Sequence, residues 1–244
     1  LHSHGKRYPY IRSVYRSARI ALPLLKKIAV KGMPLLFNEA LWSASVAVLN
    51  QCYSTRGLTV VAANNIASTL WNLFSVCFIS LGSATGIIIG QMLGAGKPAD
   101  EVRDCDRKLI AFSVTSCAVF GIAMAAVSGV FPLIYKTDNS VRSLATAFIC
   151  INAVIMPFNA YANAAYFTLR SGGKTLSTLL FDSCFVWVVS VPVAYTLSRF
   201  TGIAILPLYA VCQSAEILKC VIGYIMLRRG SWIKNIVQTH PDAE

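Results

Sequence analysis

The stretch "GMPLLFNEALWSASVAVLNQCY", residues 32–53, contains one acid, Glu39, and no base. At a rise of ~1.5 Å per residue, about 20 mostly apolar residues in a helix cross the hydrocarbon core of a bilayer. The run therefore reads as a membrane span. Five more stretches meet the same requirement, near 58–90, 108–131, 143–169, 176–198 and 204–227. The sequence predicts an all-α, polytopic transmembrane bundle of six spans. Pro34 falls about one turn before Glu39, near the expected helix start, where proline is tolerated. The second span is long and carries Gly82, Gly86 and Gly90, which suit a kink or close packing against a neighbour.

Composition agrees with this reading. The chain has 244 residues, 56% hydrophobic and 13% charged, and its mean hydropathy is +0.60. These values lie outside the range of soluble domains. A net charge of +12 would suit nucleic acid if the bases covered a solvated surface, but they are confined to short segments between apolar runs. Nucleic acid is not expected as a partner. The eight cysteines include no CxxC pair and fall mostly inside apolar runs, where a thiol packs as a small hydrophobe. Neither a metal site nor a disulfide framework is expected. His2, His4 and His240 read as ordinary solvated residues near the two ends of the chain.

Orientation follows from where Lys and Arg fall outside the spans. Residues 1–31 hold eight and residues 91–108 four; Arg170, Lys174, Arg228, Arg229 and Lys234 bring that side to seventeen. The other side holds Arg56, Lys136, Arg142 and Arg199. Both ends of the segment are expected to be cytoplasmic, in a multi-pass plasma-membrane protein. Residues 1–25 form a basic cytoplasmic arm. Within it Ile11, Val14, Tyr15, Ala18 and Leu22 can share one face opposite Arg12, Arg16 and Arg19, as in a helix lying on the membrane surface or a linker packed on another domain. Residues 26–230 form the six-helix lobe, and 231–244 a cytoplasmic tail. Leu1 in place of methionine suggests a fragment of a longer chain.

Polar side chains inside spans should turn away from lipid. Glu39, Ser43 and Asn50 repeat at helical spacing in the first span. Asn65, Ser68, Asn72 and Ser75 do so in the second, and Asn152, Asn159, Asn163 and Tyr166 in the fourth. Such groups can serve only as interhelical glue, at about 0.6–2 kcal/mol per bond; their number favours a water-accessible cavity. Four ionisable residues fall inside spans: Glu39, Asp182, Glu216 and Lys219. Glu216 and Lys219 are three apart and are expected to neutralise each other as a structural pair. Asp182, near the start of its span, is either solvated or bonded to a neighbouring helix. Glu39 lies deeper, and a desolvated carboxyl there would be poised to exchange a proton or be neutralised by a cation.

The ordered series Pro34/Glu39, Ala62/Asn65, Gly90-Gln91/Gly94-Ala95-Gly96, Leu169-Arg170-Ser171-Gly172-Gly173 and Asp182/Trp187/Pro192 resembles the C-terminal lobe of the MATE (multidrug and toxic compound extrusion) family. The likeness extends from about Lys26 to Asn235. It implies twelve helices in two pseudo-symmetric bundles, of which this chain would be helices seven to twelve, with residues 1–25 as the inter-lobe linker. It also implies alternating access, with efflux of organic, often cationic, compounds against inward H⁺ or Na⁺. Glu39 matches the acidic position in helix seven used for the coupling ion or substrate. Some members carry an aspartate about eleven residues before the Leu-Arg-Gly turn, where Asn159 stands here. With that hard ligand missing, Na⁺ near Glu39 is disfavoured relative to a proton.

The candidate coupling-ion or substrate residues are therefore Glu39, Asp182, Asn65, Asn72, Asn159, Asn163 and Tyr166. The expected partners are small organic molecules, membrane lipid, and an N-terminal six-helix lobe or a second copy. No cofactor is implied beyond the coupling ion, and no enzyme: the chain has no HExxH, no GxSxG and no paired carboxylates on one helix. "GQMLGAGKP" and "RSGGKT" read as helix C-caps with tight turns, without the spacing of a phosphate loop. Two other readings stand beside the antiporter, a lipid-linked oligosaccharide flippase of the same superfamily and a non-catalytic membrane scaffold. The flippase should have arginines in its cavity for pyrophosphate, and no arginine falls in a span core.

Overall fold

The computed structural model describes residues 22–233. Residues 1–21 of the basic arm, the three histidines and residues 234–244 lie outside those residues, while 22–25 open the first helix. Six long helices run in sequence: α1 Leu22–Ser54, α2 Leu58–Gly94, α3 Ala99–Val127, α4 Asn139–Ser171, α5 Thr175–Phe200 and α6 Ile205–Arg228. All six contain a span long and apolar enough to cross a membrane. A short 3₁₀ turn, Phe131–Ile134, precedes α4, and no β-strand occurs among the described residues. Large apolar side chains such as Phe112, Ile122, Val154 and Val188 are exposed on the outside of the bundle, as lipid-facing positions require.

Two expectations about α1 change. The helix begins at Leu22 rather than near residue 32, so Pro34 lies well inside it. There its ring removes the amide that would bond the carbonyl of Val30, one turn ahead of Glu39. At the other end of the chain, the packed lobe extends past residue 230: Trp232 is buried, its Nε1 donates to the carbonyl of Leu227 at 3.0 Å, and it packs against Gly172.

The short turns between antiparallel helices collect the start of α1, the α2–α3 and α4–α5 turns and the end of α6 at one end of the bundle, hereafter the basic end. Two of these helix termini close by the same device. Gly96 and Gly173 adopt φ +68° and +74°, a region open to glycine without steric cost. In the first, Lys97 N donates to Met92 O and Gly96 N to Leu93 O; in the second, Lys174 N donates to Leu169 O and Gly173 N to Arg170 O. This is the paired C-cap that "GAGK" and "SGGK" foretold. At the opposite end Arg56 Nη2 donates to the carbonyls of Thr201 at 2.7 Å and Leu197 at 3.1 Å, satisfying carbonyls at the end of α5 that have no intrahelical partner.

Helix α4 is the centre of the lobe and packs on α2, α3 and α6, while α1 packs chiefly on α5. One close approach of α3 to α4 has a local cause. Pro157 inside α4 leaves the carbonyl of Ala153 without its helical donor. Gly121 of α3 seats directly on that oxygen: a Cβ at Gly121 would lie 2.6 Å from Ala153 O. Because the obstacle is backbone, Gly121→Ala is expected to push the two helices apart and destabilise the lobe by about 1–3 kcal/mol. Gly129→Ala, at a position with no atom within 4 Å, should be near neutral. Thermal unfolding of the two variants in detergent checks the difference.

Candidate functional site

A cavity of about 390 Å³ opens between α1 and α5 on one side and α2 and α4 on the other, with α6 behind. Helix α1 contributes Glu39 and Trp42, α2 contributes Asn72 and Ser75, and α4 contributes Asn159, Asn163 and Tyr166. Asp182 enters from α5, and Glu216 and Lys219 from α6. The rings of Trp71, Phe78 and Phe167 complete the walls, and Arg170 also borders the space. The cavity therefore carries three carboxylates and two cations within a partly aromatic lining. Such a surface suits an amphipathic ligand with a positive charge, through Coulomb attraction and cation–π contact.

Asp182 occupies an irregular part of α5. Residues Leu180–Cys184 and Val186–Ser190 form two successive π-helical turns, a wider winding that frequently accompanies functional sites. From there the Asp182 carboxylate is held on both oxygens. Lys219 Nζ donates to Oδ1 at 2.6 Å, and Asn38 Nδ2 donates to Oδ2 at 3.1 Å. The same Asn38 amide lies 3.4 Å from Tyr166 Oη, and Ser183 Oγ, 2.8 Å from both Asn38 Oδ1 and Asn38 O, donates to them. Trp187 Nε1 donates to the carbonyl of Leu41 at 2.9 Å, so α1 and α5 are tied together on either side of Glu39.

This arrangement keeps the expected pairing on α6 at the limit of ion-pair distance and adds a closer partner. Lys219 reaches Glu216 only at 4.0 Å and Asp182 at 2.6 Å, so its main partner is on another helix. Its side chain is 9% exposed and that of Asp182 18%, and at such burial a shorter, hydrogen-bonded contact prevails. Sequence spacing compares charges within one helix and could not reveal the partner across it. Asp182 is thus bonded to neighbouring helices, one of the two alternatives that its position allowed.

Glu39 differs from expectation in the other direction. It is exposed on the open face of the lobe, and no hydrogen bond or ion pair engages it among the described residues. The expected burial is not supplied by the described residues, none of which covers that face of α1.

The polar stripes divide along their length. Glu39, Asp182, Asn72, Asn159, Asn163 and Tyr166 all border the cavity, whereas Asn65 stands outside it on the exposed surface of α2. Nearer the far end, polar groups glue helices together. Asn64 Nδ2 donates to Asn50 Oδ1 at 3.0 Å, and Asn152 Oδ1 accepts from Tyr209 Oη at 2.9 Å and Gln213 Nε2 at 2.6 Å. The cavity and glue readings both hold, each for part of the stripes. Asn163 Oδ1 is buried without a hydrogen-bond partner among the described residues and is an unused acceptor in the cavity wall.

Two polar residues escaped the sequence reading. Asn38, 2% exposed, has as its only sequence signal an amide in an apolar run, next to the charged Glu39. Asp106, 3% exposed and accepting from Thr168 Oγ1 at 2.6 Å, lies on a helix that starts at Ala99, ahead of the third apolar run that begins near residue 108, and so has no span signal of its own.

The fold and the cavity together define a six-helix lobe of an integral membrane protein with a polar internal cavity. The family model MatE matches residues 34–196, and the chain belongs to that family. Similar curated proteins include a "Probable multidrug resistance protein NorM" from Mannheimia succiniciproducens, 27% identical over 176 residues, covering 72% of this chain and 37% of that protein. Another is "Multidrug resistance protein MdtK" from Edwardsiella ictaluri, 26% identical over 204 residues, covering 81% and 44%. The chain spans less than half the length of these relatives. A solved structure of a MOP superfamily transporter from Pyrococcus furiosus, described as having a binding pocket of reverse polarity, matches with TM-score 0.76 at 12% identity, covering 90% of this chain and 49% of that one. At that identity the likeness shows the fold.

Proposed function

We propose that this chain is the C-terminal half of a cation-coupled antiporter that exports organic, cationic compounds by alternating access. The coupling cation, H⁺ or Na⁺, exchanges at Glu39. The observation that carries the reading is the division of labour between the two acids of the cavity. Asp182 is engaged on both oxygens by Lys219 and Asn38, while Glu39 faces the open space with no partner among the described residues. An unengaged carboxylate is free to bind a proton, a metal cation or an organic cation in turn, and mutual exclusion at one group is the simplest means of exchange. The names of the relatives, multidrug resistance proteins, agree with substrates of this kind. The other half of the cavity would come from an N-terminal six-helix lobe or a second copy, which would cover the face that Glu39 presents.

Between the two ions the proton is favoured. A sodium ion is bound well by several hard oxygens, yet each Asp182 oxygen already accepts a hydrogen bond, one of them from the Lys219 ammonium whose charge opposes a second cation, and Asn159 stands where an acid would add a ligand. Efflux of a fluorescent organic cation from vesicles carrying the expressed protein separates the cases. An imposed pH gradient without Na⁺ is expected to drive transport, and a Na⁺ gradient at equal pH is not. Transport that needs neither gradient would overturn the coupled mechanism.

A further inference from the structure

A second concavity, of about 590 Å³, lies where α3, α4 and α6 meet at the basic end, and it shares no lining residue with the polar cavity. Its α3 wall is one helical face: Arg103 and Arg107, then Ile110 and Ala111, then Val114 and Thr115, at steps of three and four. From Arg103 to Thr115 this face runs about 18 Å at ~1.5 Å per residue. Helix α6 adds Arg228 in its last turn and Tyr224 one turn deeper. The groove is therefore cationic where the bundle leaves the membrane and apolar where it enters.

The arginines are poorly served by the protein itself. Arg107 and Arg228 are exposed and make no ion pair among the described residues. Arg103 meets only the exposed Asp100, at 3.8 Å, and its buried Nε has no hydrogen-bond partner among the described residues. The one acid in the groove is Asp106, buried at its floor and bonded to Thr168. Three cations against one sequestered carboxylate leave the groove positive. Arginine forks match phosphate oxygens, and basic pockets between membrane helices suit anionic headgroups.

We propose that this groove binds one anionic phospholipid, its phosphate held by Arg103, Arg107 and Arg228 and its glycerol and upper acyl chains laid along Ile110, Val114 and Tyr224. The two-toned lining commits the site to a lipid rather than a free anion, since a phosphate ion would leave the apolar part of the groove empty. The inference does not depend on the transport reading, and its test does not use transport.

The protein as expressed, purified in detergent, is titrated with phosphatidylglycerol, phosphatidylcholine or inorganic phosphate while its thermal unfolding midpoint is followed. Phosphatidylglycerol is expected to raise the midpoint, and the other two are not. In Arg103→Gln/Arg107→Gln/Arg228→Gln the phosphatidylglycerol concentration required should rise about a hundredfold, since each basic charge near an anionic lipid is worth about fivefold. Lys97→Gln/Lys108→Gln/Arg229→Gln removes the same charge at the same end outside the groove and should keep the response. Should the groove variant not fold, the single Arg107→Gln at an exposed position is expected to weaken the response about fivefold. An equal shift with phosphatidylcholine, reproduction of the shift by phosphate alone, a retained response in the groove variants, or an equal loss in both triple variants would each overturn the proposal.

Discussion

Glu39→Gln is expected to abolish coupled efflux while leaving the protein folded and inserted. Glu39 is exposed and unpaired among the described residues, so its replacement by an amide of the same shape should change stability by no more than about 0.5 kcal/mol. Its charge, in contrast, is what a coupling ion and an organic cation would both seek. Losing one charge-assisted contact weakens binding of the cation by about 10- to 100-fold, and the exchange step disappears with the titratable group. Membrane abundance, the unfolding midpoint and efflux rate, measured together, check this. Efflux at the wild-type rate would remove Glu39 from the role assigned to it.

Lys219→Met is expected to do the reverse, acting first on stability. Lys219 lies buried between Asp182 and Glu216, and its removal leaves two largely shielded acids without their partner cation. Breaking a buried pair on one side costs about 3–5 kcal/mol, enough to deplete folded protein in the membrane. The companion change Asp182→Asn removes the carboxylate that needs Lys219 most while retaining an oxygen for Asn38 to donate to. The double variant should therefore recover part of the loss, with a coupling energy of about 1–3 kcal/mol in the cycle. Unfolding midpoints of the two single variants and the double supply that cycle; additive losses would mean that the contact at 2.6 Å contributes little.

Much of the architecture was legible because a bilayer imposes a length and a polarity that any sequence must respect. The six apolar runs became the six helices, with the largest displacement at α1, where a helix that continues out of the apolar region to Leu22 leaves no hydropathy signal. The turn glycines were legible for a similar reason, since a helix ending in "GAGK" or "SGGK" has few other ways to satisfy its last carbonyls. Less could be read of the cavity. Helical spacing placed Glu39, Asn72, Asn159, Asn163 and Tyr166 on faces that do meet, yet the same spacing grouped Asn65, Asn50 and Asn152 with them. Which residues of a stripe line a cavity and which glue helices depends on where α1 leans on α5 and where α6 closes on α4. That is a property of packing between distant segments. The pairing of Lys219 with Asp182, 37 residues away, and the π-helical turns that present Asp182 likewise have no local signature.

The most direct test of exchange at Glu39 is the proton count on substrate binding. A lipophilic organic cation is added to the purified protein in weakly buffered solution over a series of pH values, and the protons set free at the pH of greatest release are counted with an indicator dye. About one proton per bound cation is expected from the wild type and none from Glu39→Gln, because the two cations compete for the same carboxylate. Tight binding of the organic cation to the wild type with no proton released, and with no Na⁺ displaced when Na⁺ is present, would contradict exchange at Glu39.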